Sequence, residues 1–592
     1  MTRVWRSREQ EAFARGLTKT QAELPDLVCR LLTARGIQDP AAIESLLKPQ
    51  IQSLKDPLLM RGMREGAERL VRAFENKEKV CVYADFDLDG TSGLALLWEG
   101  LEKLGFENLV GYQPKRLSEG YGFHASVVED LHQQGVSVIV TVDVGITAFE
   151  AAAKAKSLGI DVVLTDHHLP LEKLPDAFTV INPNQDADES GLGYLCGAGV
   201  AFYFLRALKR AMVDRGLKKD EDLPLRPLLD FLTIATLTDM VPLVDDNRAL
   251  VKQGLLVLAQ TQRPGLRALL DNLGLSDKPL TSQDVAIRFA PKLNALSRME
   301  TGLRPIDLFR AADVEAAGEM VHEVLENNSA RVEFQSQGEA RALEMLKEWP
   351  HDKFVLVTHH EFHRGVVGLI ATKIAGLMNV PAFIGSRGAD GLVVGSGRLP
   401  NGSELNLLDA LSAVEAHMNR FGGHSGAAGF EFHSDHQELI TAALVQFYNE
   451  ASLRPQAVVV DYDLDVALSD LTDSNMKWIE TLGPFGQGFA SPLLRLSGVR
   501  VKEQKILKGG HLKLWLENLD GTFPGRKAME ALFFSPPPSL NPLSLAKGTE
   551  VEVLGELQWN VFNGQRTLQM NIKDLKMAPP SRPVDKAPEI ST

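Results

Sequence analysis

The stretch "VYADFDLDGTSG", residues 82–93, ends an apolar run, sets Asp85, Asp87 and Asp89 at alternate positions, and leads into "TSGLALLWEGLEKLG". There Leu94, Leu97, Trp98, Leu101 and Leu104 recur at helical spacing. The reading is strand, acids, helix. The same rhythm continues from residue 70 to 182, with "KVCVYA", "NLVGYQP", "VSVIVTV", "IDVVLT" and "FTVIN" as strands between amphipathic segments. Such alternation predicts an α/β domain built on a mostly parallel sheet with helices on both faces.

Open parallel sheets bind ligands outside the carboxyl ends of their strands. Three predicted strand ends deliver polar groups there: Asp85, Asp87 and Asp89; then Asp143 in "VDVGIT"; then Asp166, His167 and His168 after "VVLT". Period-two geometry directs alternate members of the first triplet to one side. A further acid, Asp239 in "IATLTDMVPL", follows an apolar segment and approaches from a helical region.

Two carboxylates about 4 Å apart repel by roughly 4 kcal/mol at an effective dielectric near 20. Five of them exceed a typical domain's stability margin, so protonation or a cation must relieve them. The set is oxygen and imidazole without thiolate, which favours Mn²⁺ or Mg²⁺, and the number of donors suggests two ions. A pair about 3.5 to 4 Å apart activates water and holds both oxygens of an in-line phosphoryl displacement. A calcium loop is the competing reading of DxDxDG, but its twelfth position, counted from Asp85, is Leu96 inside an apolar helix.

With 592 residues, the chain is expected to form roughly three or four domains. A net charge of -14 argues against a protein that simply coats nucleic acid, although it permits a locally basic channel. No apolar run reaches membrane-spanning length, and "MTRVWRSREQEAFARG" lacks the apolar core of a signal peptide, so a cytoplasmic protein is expected. Cys29, Cys81 and Cys196 are far apart and outside any CxxC pattern, against disulfides and thiolate zinc.

Residues 1–60 read as short helices packed on the adjoining α/β domain, with "LPDLVCRLLTARGI" carrying an apolar stripe. Residues 61–305 hold that acid-bearing domain. Residues 306–349, charged and free of proline from Asp313 to Trp349, predict a connecting helix between two lobes. A smaller α/β domain is expected over 350–453 and an OB-like β-barrel over 454–576, with 577–592 a proline-rich disordered tail. The barrel region interleaves Arg495, Arg500, Lys502, Lys505, Lys508, His511 and Lys513 with apolar residues and Trp515. That pattern suits a cationic, aromatic groove for a single strand, or a barrel core at Trp515 with an ordinary solvated face.

In order along the chain stand "YADFDLDGTS", "EGYGFH", "TVDVGI", "VLTDHHLP", "INPN", "LCGAGVAF", "PKLNALSRM", "HRGVVGLIATKI", "GSGR", "FGGHSGAAGF" and "LGPFGQGFASPLL". Together they resemble the DHH phosphoesterase superfamily and, within it, the RecJ family of single-strand-specific exonucleases. The resemblance covers most of the chain. It implies that Asp85, Asp87, Asp89, Asp143, His167 and Asp239 supply or orient ligands for two Mn²⁺ or Mg²⁺ ions. His168 would lie nearest the scissile phosphate, in a catalytic set with Asp143 and with Asp166, which fixes an imidazole tautomer. Ser396, Arg398 and His424 in the smaller domain, with Arg116 and Arg298, would contact phosphate or nucleic acid, an arginine fork being suited to a phosphate.

The implied activity is 5′→3′ hydrolysis of single-stranded DNA to 5′-mononucleotides, in recombination and repair. Expected partners are single-stranded DNA, a single-strand-binding protein and a helicase, with no membrane and a monomeric chain. The alternatives are a phosphodiesterase for very short or cyclic oligonucleotides, disfavoured by the barrel, and an inactive DNA-binding scaffold, disfavoured by the complete ligand set. Ala84, Val144 and Ser297 depart from the residues usual in the family, and none of them removes a ligand.

Overall fold

A computed structural model describes residues 3–14, 23–276, 278–299, 302–400, 402–450, 459–522, 528–534, 536–537, 540–562 and 565–578. Most of the tail expected to be disordered lies outside these residues. The chain forms two compact units, one of residues 51–455 with 486–488, the other of residues 1–50, 456–485 and 489–592.

In the first unit, Leu109–Tyr112, Val80–Ala84, Val138–Val142, Asp161–Thr165 and Thr179–Ile181 form, in that order, an all-parallel five-stranded sheet. Val80–Ala84 and Val138–Val142 are buried throughout, as strands covered on both faces must be. Val80, Val82 and Val140 join a core with helices Met63–Glu75, Leu88–Lys103 and Gly197–Asp214. Cys81, Tyr83 and Ile139 point the other way, against helices Ala125–Gln133 and Phe149–Ser157. The chain runs from Val80–Ala84 to the strand on one side of it and then crosses to the other side, so the strand order reverses between Val80–Ala84 and Val138–Val142. A crevice opens at such a point, and Asp85 and Asp143 are the residues immediately beyond these two strands.

Helices Leu229–Thr238, Asp245–Ala259, Pro264–Asn272 and Ala290–Arg298 come next. A 32-residue helix, Val314–Met345, then leads to the second lobe, with the Asp313 side chain accepting the Ala316 N–H as its N-cap. That lobe has a mixed sheet ordered Arg420–His424, Ala427–His433, Leu392–Arg398, Ala382–Arg387, Val355–His359, only the last two being parallel.

In the second unit, Leu494–Ile506, Leu512–Asn518, Met529–Phe533, Gln565–Met577 and Glu550–Phe562 pair in sequence, and the last closes on the first: a five-stranded barrel. Residues 1–50 belong to this unit, which corrects the expectation that they pack on the adjoining α/β domain. Leu27, Val28, Leu31 and Leu32, the apolar stripe of helix Asp26–Ala34, share a core with Leu464, Leu468 and Ile479. The chain also opens on a strand, Val4–Ser7, parallel to Val459–Tyr462, where only helices were expected. Edge pairing with a distant strand leaves no mark in local periodicity.

Candidate metal centre and phosphate site

The three acids of the opening stretch do not lie on an extended strand. The strand ends at Ala84, the Asp85 N–H donates to Val142 O at 3.2 Å, and Asp87 is already the N-cap of helix Leu88–Lys103. Its Oδ1 accepts the N–H groups of Asp89 (2.8 Å) and Gly90 (3.0 Å). A Cβ on Gly90 would sit 2.4 Å from Asp85 O, so the turn that gathers the acids requires glycine there. Period-two alternation is therefore corrected to a strand-to-helix turn.

Asp89 lies in the first helical turn, and its carboxylate accepts N–H groups of Gly197 (2.6 Å) and Ala198 (2.8 Å), the start of helix Gly197–Asp214. Oriented amides at a helix N-terminus favour a carboxylate. Asp143 adopts a left-handed backbone (φ 61°) against the same helix end, where a Cβ on Gly197 would come within 2.4 Å of Asp143 Cβ. Asp166 Oδ2 accepts Ile146 N–H (2.9 Å), while Oδ1 accepts N–H of His167 (2.8 Å) and His168 (3.1 Å) and lies 2.8 Å from His168 Nδ1. Asn182 and Asn184 Nδ2 hold the backbone carbonyls of His168 and His167.

These supports bring ligand atoms together in three overlapping sets: Asp85, Asp87 and Asp143; Asp89, His167 and Asp239; Asp143, His167 and His168. His167 Nε2 is 3.1 Å from Asp143 Oδ1, 3.6 Å from Asp239 Oδ2 and 3.9 Å from Asp89 Oδ2. Asp85 Oδ1, Asp143 Oδ1 and His167 Nε2 are buried without a hydrogen-bond partner among the described residues. Leaving such atoms unpaired is costly, and a divalent cation supplies what each lacks. Oxygen and imidazole donors fit Mn²⁺ or Mg²⁺.

The protonation balance agrees. Burial, then Asp87, pushes the Asp85 carboxyl up to about 7. Burial and neighbouring carboxylates raise Asp89 and Asp143 well above the usual range, and burial with Asp87 brings Asp239 to about 6. Burial, then the charge of His168, lowers His167 to about 4, leaving a neutral imidazole suited to coordination. Burial also opposes a charge on His168, but the hydrogen bond and charge of Asp166 overcome it and raise His168 to about 9. Asp166 itself is held below the ordinary carboxylate value by His168 and backbone N–H donors, which outweigh its burial.

A second group is cationic. Burial, then the charges of Arg116, Arg331 and Arg398, lowers Arg298 to about 9. Burial followed by Arg116 lowers Arg398. Arg398 Nη1 donates to Ser396 Oγ (2.6 Å) and Gly397 O (2.7 Å), Arg298 Nη1 donates to Gly365 O (3.2 Å), and Arg116 lies over the Phe86 ring at 5.0 Å. Like charges gathered in a partly buried place call for an anion. The parallel rings of His168 and His424, with centroids 6.5 Å apart, bring the second lobe up to the acids.

Sequence reasoning missed several supports. Tyr121, whose hydroxyl is 3.5 Å from His168 Nδ1, and the residues Asn182, Asn184 and Gly197 all lay within the motifs quoted above. Gln113, donating to Asp85 O (2.7 Å) and Thr91 Oγ1 (2.9 Å), and Arg331, on the long helix, stood in no motif.

The DHH family N-terminal domain matches residues 79–236, and the RecJ OB domain matches residues 462–574. The single-stranded-DNA-specific exonuclease RecJ of Escherichia coli is 31% identical over 570 residues, covering 94% of this chain and 96% of the relative. The chain belongs to the RecJ family. The RecJ of Thermus thermophilus is 30% identical over 531 residues, 88% of this chain and 72% of the relative. A crystal structure of T. thermophilus RecJ in complex with Mn²⁺ is similar with a TM-score of 0.77 and 26% identity, covering 97% of this chain and 80% of that one. Its Mg²⁺ complex gives 0.70 and 25%, covering 97% and 78%. The fold expected from sequence, a parallel-sheet DHH domain with a C-terminal OB barrel, is that of the RecJ family, of which the T. thermophilus member is solved in complex with Mn²⁺ and with Mg²⁺.

Proposed function

We propose that the chain is a metal-dependent 5′→3′ exonuclease that hydrolyses single-stranded DNA to 5′-mononucleotides, serving recombination and repair in the cytoplasm. The observation that carries this reading is the set of buried, partnerless ligand atoms on Asp85, Asp143 and His167, in a chain of the RecJ family.

Asp85, Asp87 and Asp143 would hold one divalent ion, and Asp89, His167 and Asp239 another. Bound there, Mn²⁺ or Mg²⁺ lowers the pKa of water and neutralises charge growing on phosphate oxygens. The rest of the work falls to side chains. With Asp166 ionised, His168 Nδ1–H donates to it, which leaves Nε2–H for an oxygen of the scissile phosphate. As an imidazolium below about pH 9, His168 stabilises the negative charge that develops and can give up a proton to the leaving oxygen.

Arg116, Arg298, Ser396, Arg398 and His424 would bind the terminal 5′ phosphate. The close approach of His424 to His168 supports a space for one nucleotide between the two phosphates, hence a mononucleotide product. The barrel would hold the strand. Trp515 alternates with the buried Leu514 and Leu516, which places it on the outer face, with Lys513 Nζ 4.9 Å from its ring. Several of the cations expected to form a groove are already paired there: Arg495 with Asp465 and Glu552, Arg500 and Lys502 with Glu517, Lys513 with Glu530. The Trp515 ring would then share strand binding with the remaining cations, Lys505 and Lys508.

A single-strand reader needs duplex opened and kept open, which makes a helicase and a single-strand-binding protein its partners; the chain itself acts as a monomer. Among the described residues no helix is long and apolar enough to cross a membrane. The test is incubation with 5′-labelled single strand, duplex and dinucleotide, with chelator or with Mn²⁺. Mononucleotides should come from single strand only when metal is present, and Asp143→Ala should abolish turnover while strand binding persists. Equal digestion after removal of divalent ions would refute the reading.

A further inference from the structure

A cavity of about 750 Å³ lies between the long helix Val314–Met345 and the segment after strand Val355–His359, with Leu117, Phe334, Gln337, His360, His363 and Ser386 among its walls. Its size is that of a small-ligand site, for which roughly 300 to 1,000 Å³ is usual. The rings of Phe334 and His363 stack at 4.9 Å with an interplanar angle of 24°, and Phe334 remains 39% exposed. Aromatic surface beyond the His363 contact is thus left exposed in a polar setting.

The walls are tied to the arginine cluster in three ways. Arg331 precedes Phe334 by one turn of the same helix, on the same side of it. Arg298 donates to Gly365 O (3.2 Å), and the Gly365 N–H donates to His363 Nδ1 (3.1 Å). Leu117 directly follows Arg116. The arginines thus adjoin residues that line the cavity, within reach of the substituent on an anion they hold. His359, His360 and Glu361 could also gather a cation at its edge, but Arg341 Nη2 lies 3.2 Å from His359 Nε2 and opposes one. The chemistry required of the occupant is a flat ring to stack on Phe334, polar edges for the Gln337 amide and the Ser386 hydroxyl, and an attached phosphate.

We infer that this cavity is a nucleobase subsite, taking the base of the 5′-terminal nucleotide whose phosphate the arginines hold. The inference rests on the phosphate site proposed above and adds the base that accompanies it. Stacking on one aromatic side chain changes affinity roughly 5- to 100-fold per base.

The test measures equilibrium binding of 3′-labelled single strands to the full chain in chelator. The strands carry a 5′ phosphate or a 5′ hydroxyl, and an intact or abasic nucleotide at position one or three. An abasic first nucleotide should weaken binding to the unchanged protein roughly 5- to 100-fold. Phe334→Ala should weaken the intact strand and the strand abasic at position three by the same factor, yet scarcely alter the strand abasic at position one. Phe334→Leu, which keeps apolar bulk and secures the fold, should fall between. Equal weakening of all strands by Phe334→Ala, or no weakening of any, would overturn the inference. Loss of the 5′-phosphate preference in the unchanged protein would instead overturn the reading of the arginines, and this one with it.

Discussion

Replacing Asp85 by asparagine should stabilise the metal-free protein at pH 8 and destabilise the metal-loaded one. The Asp85 carboxyl rises from 3.8 to about 7, first through burial and then through Asp87. In the absence of a cation the folded chain therefore keeps a proton that the unfolded chain releases. The stability this gives is fully present below pH 3.8 and is lost as pH rises through about 7. At about 1.36 kcal/mol per pH unit the full loss is about 4 kcal/mol, and relaxation around a charged carboxylate brings the expected figure to about 2 kcal/mol. Asparagine has no proton to lose, so metal-free Asp85→Asn should gain that amount over the parent at pH 8 and nothing at pH 4. Saturating Mn²⁺ reverses the sign, because the parent gains about 2.7 kcal/mol at a hundredfold excess over its dissociation constant and a variant short of one ligand gains less. Scanning calorimetry of the transition of residues 51–455, at both pH values with chelator or Mn²⁺, reads all four states. If the metal-free variant is no more stable than the parent at pH 8, the carboxylates are not held at a cost that a cation relieves.

Three further outcomes are expected. His168→Gln should lower kcat by roughly 10²- to 10⁴-fold. The parent's activity should fall as pH rises through about 9, and Asp166→Asn should shift that limb down toward 6.5, as pH–rate profiles would show. Arg398→Ala should raise KM for 5′-phosphorylated strands by roughly 10- to 100-fold, the equivalent of one charge-assisted contact, and leave 5′-hydroxyl strands nearly unchanged in steady-state assays. Trp515→Ala should weaken binding of a long single strand by roughly 5- to 100-fold without slowing dinucleotide hydrolysis, and equal loss on both substrates would assign Trp515 to barrel folding instead.

The sheet was legible because its strands are buried on both faces. "VCVYA" and "VIVTV" are mostly apolar and buried throughout, and those runs suffice to place the acids after them at strand ends. How the acids converge was not legible, since it depends on contacts between distant segments: Asp89 is fastened by amides at residues 197 and 198, and the turn at Gly90 breaks the alternation on which the expectation relied. Arg331 sits on a helix whose charges look uniform in sequence, and only the arrival of Arg298 beside it gives it meaning. The barrel cations misled for the same reason. Glu517 faces Arg500 across the strand pair and takes Lys502 as well, a pairing set by register that composition cannot show. Residues 1–50 join the barrel through contacts such as Arg30 Nη2 to Asp465 O (2.7 Å), with more than four hundred residues of chain between them.

Asp143 and Asp166 show what separates a ligand from a support. Both are fully buried aspartates just beyond adjacent strands, and burial alone would raise both. Asp166 receives backbone N–H groups from Ile146, His167 and His168 and faces the His168 ring, so its charge is already satisfied and it drops below the ordinary value. Asp143 Oδ1 accepts no hydrogen bond from the described residues, lies 3.1 Å from the neutral His167 Nε2, and faces Asp89, Asp87 and Asp85, so its charge waits for a cation. Asp89 lies between these cases: two helix amides hold it in place, but they do not offset the neighbouring acids, and it remains raised. Donors supplied by the fold thus decide which carboxylate orients an imidazole and which is left to bind metal, and the same residue type at equivalent strand ends takes either role according to the amides it meets.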